Sequence, residues 1–260
     1  MNEAQRRAWQ ALDIGPIWRQ RKPTALAAAD LAQAFVDSEA VNAPAPSADR
    51  TNVNESATPH QRPKALSLSW ADLRDQVLGC QKCALAQGRH QVVFGSGQAP
   101  ATWMVVGEAP GEQEDLKGVP FVGPAGQLLD QMLAAIGVDR ASEVFVANVL
   151  KCRPPRNRDP QADEIAQCSP WLQAQIAAVQ PRIILAVGRF AAQTLLQTDT
   201  AIGRLRGGVH ALPRPAPSGQ VADGSDIPVV VTYHPSYLLR SPAEKGKAWQ
   251  DLLLARSLIA

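Results

Sequence analysis

Four cysteines are the side chains whose type and spacing most directly suggest chemistry in this chain. Two form a Cys-x2-Cys pair and two stand alone further along, at Cys80, Cys83, Cys152 and Cys168. Thiolates that meet at one point bind zinc or an iron–sulfur cluster, and the residues alone favour neither. We predict that the four cysteines share one metal group; the alternative is a set of inert buried thiols.

A stretch rich in glycine and proline, from Gly107 to Gly126, is the second candidate site and reads GEAPGEQEDLKGVPFVGPAG. It carries neither the GK[ST] of a phosphate-binding loop nor the G-x-G-x-x-G of a dinucleotide site. Phe121 is its one aromatic residue and could stack on a flat ring. It also offers carboxylates for acid–base chemistry, at Glu108, Glu112, Glu114 and Asp115.

Polar residues near the ends of two other apolar runs could complete such a site. His234 begins the stretch HPSYLLR and could donate a hydrogen bond, although a lone histidine is more often structural. Ser236 and Arg240 could hold phosphates at the start of the final helix. Asn148 is the one strongly polar residue in VFVANVL. It is either a satisfied buried amide or an amide that reads the edge of a base.

A basic run, KCRPPRNR, follows Asn148 closely. Its four cations are Lys151, Arg153, Arg156 and Arg158. Such a run is either a solvated surface loop or a contact for nucleic-acid phosphates. The charge run alone favours a solvated loop, but its place at the end of a predicted strand, on the rim that also carries the glycine-rich stretch, supports phosphate contacts equally well.

Four apolar, β-branched runs alternate with helical patterns and must position these side chains. Strands are predicted at 102–106, 144–150, 182–187 and 228–233, and helices at 69–79, 127–136, 160–179, 189–196 and 242–258. The runs are continuous, which is typical of strands covered on both faces. The alternation predicts a parallel α/β sandwich, in which ligands bind at the carboxyl ends of the strands. The turn-rich residues 203–225 predict a hairpin or a loop.

Composition and charge limit the remaining possibilities. The chain has 260 residues, of which 45% are hydrophobic, and a net charge of +2, so a uniformly basic polycation is excluded. No apolar run is long enough for a membrane span, and the charged N-terminus lacks a signal core, so we expect a cytoplasmic protein. We expect a helical extension over 1–37, loosely ordered or docking a protein partner. A disordered linker over 38–65 and a folded domain over 66–260 would follow.

Together these stretches resemble one enzyme family. The chain is similar to the type-4 (iron–sulfur) uracil-DNA glycosylases over residues 70–258, through GEAPGEQED, GVPFVGPAGQLL, NVLKCRPPRNRDP, HPSYLLR and the four cysteines. The resemblance implies an αβα sandwich with a four-stranded parallel sheet, and a [4Fe-4S] cluster rather than zinc. It implies that uracil is excised from single- or double-stranded DNA, leaving an abasic site. We expect the enzyme to be a monomer.

The resemblance also implies roles for the residues of the pocket. Phe121 would stack on the uracil ring, and Asn148 would bond its O4 and N3 edge. His234 would donate to O2 of the leaving base, assisted by backbone N–H groups near residues 108–110. Ala109 and Pro110 would border the base.

The sequence departs at one point from the pattern of the best-known uracil glycosylases, and this departure changes which residue would supply the catalytic carboxylate. Ala109 and Gly111 stand where the best-known uracil glycosylases carry Asp and Tyr. The resemblance therefore assigns the orientation or activation of the attacking water to Glu108. Glu114 is the second candidate for the water, or a barrier to the methyl group of thymine.

Two other classes of protein share parts of this pattern. One is a catalytically silent nucleic-acid-binding domain of the same fold, which the intact pocket residues argue against. The other is a redox protein, for which the chain shows no flavin or nicotinamide signature. The basic run contains no histidine, so we do not expect covalent trapping of abasic DNA, which a related branch performs.

Overall fold

A five-stranded sheet forms the centre of the computed structural model, which describes residues 68–215 and 224–259. Its strands are β1 (Trp103–Gly107), β2 (Val144–Asn148), β3 (Ile183–Val187), β4 (Val209–Pro213) and β5 (Asp226–Thr232). Their order is β2-β1-β3-β5-β4, with every neighbouring pair parallel except β4 and β5. The four parallel strands confirm the prediction. The antiparallel edge strand β4 comes from the turn-rich region, which resolves the choice there in favour of strand pairing.

Helices connect and cover these strands. They are α1 (Trp70–Leu78), α2 (Leu85–Gly88), α3 (Glu112–Lys117), α4 (Pro124–Ala135), α5 (Arg140–Glu143), α6 (Ala162–Val179), α7 (Arg189–Leu196), α8 (Ile202–Leu205), α9 (Pro235–Arg240) and α10 (Lys245–Ser257). Two 3-10 turns, Pro155–Asn157 and Pro242–Glu244, complete the set. All five predicted helices are present, with ends displaced by a few residues. None of these helices is long and apolar enough to cross a membrane.

The first helix shows how a local sequence signal fixes an element boundary. Ser69 precedes α1, and its Oγ accepts a hydrogen bond from the backbone N–H of Asp72 at 3.1 Å. This satisfies one of the N–H groups that a helix start leaves unpaired. The apolar face that follows, Leu73 and Val77, is buried in the core. The helix start predicted at residue 69 is therefore confirmed.

Alternate side chains of the buried strands build a separate core on each face of the sheet. Every residue of β1, β2 and β3 is buried. Met104 and Val106 pack in one cluster with side chains of α1, α6 and α7, and Trp103 and Val105 pack in the other with side chains of α4 and α10. Burying one such apolar side chain contributes roughly 1.5–3 kcal/mol. The sheet is thus the middle of three layers, as predicted, and a rigid base for the loops at its edge.

The four parallel strands present their carboxyl ends at one edge of this sheet. Glu108, Gly188 and the pair Tyr233–His234 follow β1, β3 and β5 there, and Asn148 is the last residue of β2. This edge is where the functional residues were expected. The predicted extension over 1–37 and linker over 38–65 lie outside the described residues, so those expectations stay predictions.

Candidate active site

A cleft of about 880 Å³ opens at the carboxyl ends of the parallel strands. Its lining includes every residue predicted for catalysis or base binding: Glu108, Ala109, Pro110, Glu114, Phe121, Asn148 and His234. Three of the residues predicted to contact phosphates also line it, namely Arg158, Ser236 and Arg240. The fold therefore gathers residues from four separate stretches into one concave site, as ligand sites in open α/β sheets are built.

Phe121 lies against the end of β1 because two glycines leave room for it. A side chain at Gly107 would begin 2.7 Å from Cζ of Phe121, and one at Gly126 would overlap the Phe121 carbonyl. The Phe121 side chain is buried, and its ring stacks near that of His234, with centroids 5.6 Å apart and planes inclined by 30°. The aromatic face and the histidine thus belong to one wall of the cleft.

Asn148 ends β2 with a buried side chain, only 2% exposed. Among the described residues its Oδ1 has no hydrogen-bond partner. Leaving a buried acceptor unpaired costs about 1–3 kcal/mol, so such groups in native proteins need an explanation. A ligand that brings an N–H donor into the cleft would supply it. The reading as a satisfied buried amide is therefore not supported.

His234 caps the start of α9 through its ring. Its Nδ1 accepts from the backbone N–H of Ser236 at 3.1 Å, with Ser236 Oγ at 2.7 Å. Because a backbone N–H can only donate, Nδ1 carries the lone pair, and the proton of the neutral ring lies on Nε2. Burial lowers the pKa of His234 to about 4, with a further lowering by the positive charge of Arg240 and an opposing effect of Glu114. At neutral pH the ring is an uncharged Nε2–H donor.

Glu108 follows β1 directly and is half-buried. Burial raises its pKa to about 7; the negative charge of Asp159 adds to the rise, and Arg189 opposes it. A carboxylate with a pKa near the working pH suits general-base catalysis. Asp159 and Arg189 form an ion pair of 2.9 Å and line the same cleft. Sequence reasoning missed both, although Arg189 directly follows Gly188 at the end of a predicted strand.

Glu114 lies in α3 and is occupied by the backbone around it. One oxygen, Oε1, accepts from the N–H groups of Val122 at 2.9 Å and Gly123 at 3.1 Å. The other, Oε2, accepts from the N–H of Gly111 at 3.1 Å. The carboxylate therefore joins the start of α3 to the loop that carries Phe121.

Lys151 corrects one prediction. It was expected to meet DNA phosphates, but it is buried, and its Nζ donates to the carbonyl of Asn148 and to Oε1 of Gln175, both at 2.6 Å. Burial lowers its pKa to about 8, opposed by Cys168 and Cys152. The residue turns inward just after β2, so it supports the strand end that carries Asn148 and does not reach the surface.

The other cations of the basic run differ in their freedom. Arg158 forms a two-pronged ion pair with buried Glu164, at 2.9 and 2.5 Å. Arg153 donates from Nε to Asn157 at 2.7 Å and is largely enclosed. Arg156 is exposed and sits at a turn with a positive φ of 54°. With Arg240, which is exposed at the cleft, it is the best placed of the predicted phosphate contacts.

The four cysteines line a second, small cavity on the side of the sheet that α1 and α6 cover. Cys80 and Cys83 lie between α1 and α2, Cys152 follows β2, and Cys168 lies in α6. The Arg89 guanidinium lies 3.2 Å from Sγ of Cys152 and Nε1 of Trp171 lies 3.3 Å from Sγ of Cys80. Both groups donate toward sulfur, an arrangement that suits thiolates.

All four cysteines line one cavity, which is what shared ligation requires. In residues 68–215 and 224–259, no group of three or more His, Cys, Asp or Glu side chains is arranged to hold a metal ion. All four cysteines are free of disulfides. The identity of a bound group therefore stays a prediction.

Known proteins with similar sequences indicate the same kind of site as the geometry of the cleft. The profile of the uracil DNA glycosylase superfamily matches residues 94–253. The type-4 uracil-DNA glycosylase of Archaeoglobus fulgidus is 42% identical over 175 residues, 66% of this chain and 83% of that protein. That of Pyrobaculum aerophilum is 40% identical over 182 residues (70% and 90%), and that of Thermotoga maritima 37% over 188 residues (71% and 92%).

The chain therefore belongs to the uracil-DNA glycosylase superfamily. Within that superfamily, all three of these relatives are enzymes of type 4. The resemblance inferred from the sequence motifs is confirmed.

Proposed function

We propose that this protein removes uracil from DNA by hydrolysing its N-glycosidic bond, leaving an abasic site for base excision repair. One observation carries the proposal. An amide with an unpaired acceptor, an aromatic face, a neutral histidine and a carboxylate with a raised pKa line one cleft, in a chain of the glycosylase superfamily. A base inside a duplex must be flipped out to reach such a cleft, whereas single-stranded DNA offers it directly.

Asn148 would select uracil. Its Oδ1 accepts from N3–H of the base, and the amide N–H donates to O4. Cytosine presents the opposite pattern at this edge, an acceptor at N3 and a donor at C4, so both bonds would fail and buried polar groups would be left unpaired. A site built in this way rejects the wrong base strongly. Phe121 would stack on the ring and hold it in the plane of the amide.

His234 would stabilise the leaving base. Cleavage places negative charge on uracil, mostly at O2, and the Nε2–H of a neutral imidazole can donate to that oxygen without giving up its proton. The backbone N–H groups near residues 108–110 can assist. A preorganised donor of this kind typically lowers a barrier by about 3–4 kcal/mol.

Glu108 would orient and activate the attacking water and offset the positive charge that develops on the sugar. Its raised pKa of about 7 gives it the basicity that this task needs. Glu114 is the weaker candidate, because three backbone N–H groups already engage its two oxygens. We assign Glu114 to the shape of the pocket instead, near the base.

The four cysteines would hold a [4Fe-4S] cluster, with zinc as the alternative. The N–H donors of Arg89 and Trp171 would suit the negative charge of a cluster held by thiolates. When bound, the cluster supplies cross-links between chain segments rather than a step of base removal.

The decisive assay uses purified protein and an oligonucleotide with one uracil, single-stranded or paired, followed by alkali. Strand scission at the uracil supports the proposal, and an intact strand contradicts it. Oligonucleotides with cytosine or thymine at that position are the matched substrates and should stay intact. Binding without scission would favour the silent DNA-binding alternative. A monomeric, cytoplasmic enzyme and a partner-docking role for residues 1–37 remain part of the proposal.

A further inference from the structure

Residues 120–123, here called the stacking loop, place Phe121 in the cleft under some strain. Phe121 has a positive φ of 55°, and an aromatic residue keeps such a conformation only where its surroundings enforce it. Glu114 holds one side of the loop by accepting from the N–H groups of Val122 and Gly123. The carbonyl groups of the loop point to a different partner.

Arg140, the first residue of α5, is that partner. Its Nη2 donates to the carbonyl of Pro120 at 3.0 Å, and its Nη1 donates to the carbonyl of Phe121 at 3.3 Å. Nη1 also lies 2.5 Å from Oδ1 of Asp130 on α4, so a carboxylate fixes the guanidinium in place. Arg140 does not line the cleft, so it cannot act on the base directly.

We infer that Arg140 is a positioning residue for base binding: it sets the angle of Phe121 by holding the carbonyls of Pro120 and Phe121. The inference rests on the proposed stacking of uracil on Phe121. Arginine suits the task because its planar guanidinium offers several N–H donors in a fixed fork, whereas the lysine amine is a mobile point charge. With Glu114 on the amides and Arg140 on the carbonyls, the stacking loop is held from both sides.

The test compares wild type with Arg140→Ala and Arg140→Lys. Three quantities are measured: the single-turnover rate of uracil excision, the inhibition constant of free uracil, and the dissociation constant for product DNA with an abasic site. Arg182→Ala is the matched control, since Arg182 is exposed at the amino end of β3, away from the cleft. Thermal unfolding of each variant by circular dichroism separates positioning from loss of fold.

The inference predicts a selective defect. Arg140→Ala should lower the rate and weaken inhibition by free uracil roughly tenfold or more, because small misplacements of binding groups are costly in catalysis. Arg140→Lys should remain folded and show the same direction of change. Affinity for abasic DNA, which has no base to stack, should stay at the wild-type value. Wild-type uracil inhibition in both variants, or an equal loss of abasic-DNA affinity, would overturn the inference.

A double substitution separates this inference from the proposed function. If Arg140 acts through Phe121, then Arg140→Ala should cost little more once Phe121→Ala has removed the ring, a non-additive result. Additive losses of rate would overturn the inferred role of Arg140 and leave the proposed function intact. Uracil excision at the wild-type rate by Phe121→Ala would instead overturn the stacking role of Phe121. The positioning role of Arg140, which depends on that stacking, would then also be overturned.

Discussion

His234 and Glu108 face one cleft, and their surroundings shift their pKa values in opposite directions. The histidine pKa is lowered and the glutamate pKa is raised, so their usual order is reversed. Burial and Arg240 keep His234 neutral, with a pKa of about 4, while burial and Asp159 raise the pKa of Glu108 to about 7. At neutral pH the histidine is therefore a donor without charge, and the carboxylate is able to act as a base. Separating two pKa values in this way is how a site assigns acid and base roles.

The pH dependence of excision follows from these two groups. With Glu108 as the proposed base, the form protonated at Glu108 should be inactive, so the rate should fall by about tenfold per pH unit below pH 7 and level off above it. His234 stays neutral throughout this range. Single-turnover rates between pH 5 and pH 9 check the profile. A flat profile in wild type, or an unchanged profile in Glu108→Gln, would contradict the assignment.

Removal of the histidine donor should slow the chemistry much more than it weakens binding. For His234→Ala we expect the single-turnover rate to fall by about 10²–10³-fold, the range for one lost oxyanion donor. The dissociation constant for uracil-containing DNA should change far less. His210→Ala is the control, because its ring bonds the Leu205 carbonyl and does not line the cleft. Equal losses of rate and binding in His234→Ala would exclude a role at the leaving group.

At the scale of elements, the sequence predicted the strands and the helices that cover them, because both faces of the sheet are apolar and the runs are continuous. It did not predict α3 or α9, since the residues of these short helices lie in stretches rich in glycine, proline and polar side chains. The hydrogen bonds from the backbone of the glycine-rich stretch to Glu114 depend on α3, so they were not predicted either. The spacing of motifs along the chain predicted which residues line the cleft. It did not predict the backbone contacts that orient those residues.

The basic run shows where a charge pattern is insufficient. Four cations in one stretch predict a phosphate-binding surface, yet the turn after β2 points Lys151 inward to Asn148 and Gln175. Direction depends on the backbone at that turn, which composition does not contain. Within this run, Lys151 therefore supports the strand end beside the cleft, whereas Arg156 lies on the surface.

Two substitutions in this run should have different consequences. Lys151→Met leaves two buried acceptors unpaired, and we expect it to lower the free energy of unfolding by about 1–3 kcal/mol for each. Arg156→Ala should leave stability unchanged, weaken DNA binding for all sequences and lower the salt slope by about 1. Urea denaturation and binding titrations at several salt concentrations measure both. A salt-slope change in Lys151→Met without destabilisation would contradict its buried role.

At the scale of the whole molecule, the four cysteines connect parts of the chain that are distant in sequence. They lie in the α1–α2 turn, just after β2 and in the middle of α6, and all four line one cavity. A group that binds all four would stabilise these contacts in the folded state only, and binding energy of this kind is folding energy. The sequence predicted that the four cysteines meet, and all four line one cavity.

Metal content and stability should change together. The protein purified without oxygen should contain iron and absorb visible light, and Cys168→Ala should lose iron and unfold at a lower temperature. Iron analysis, absorbance and thermal unfolding are the measurements, and none depends on activity. Stoichiometric zinc without iron would contradict the cluster assignment. Full stability of the iron-free variant would contradict a structural role.

In the proposed function, the cleft excises uracil through His234 and Asn148. Its most direct test is the amount of free uracil released, measured by mass spectrometry beside the abasic sites formed in the same oligonucleotide. We predict one uracil per abasic site for wild type, no thymine or cytosine from matched strands, and almost no release by His234→Ala or Asn148→Ala. Release of no uracil by the wild-type protein, or equal release of thymine, would contradict this function.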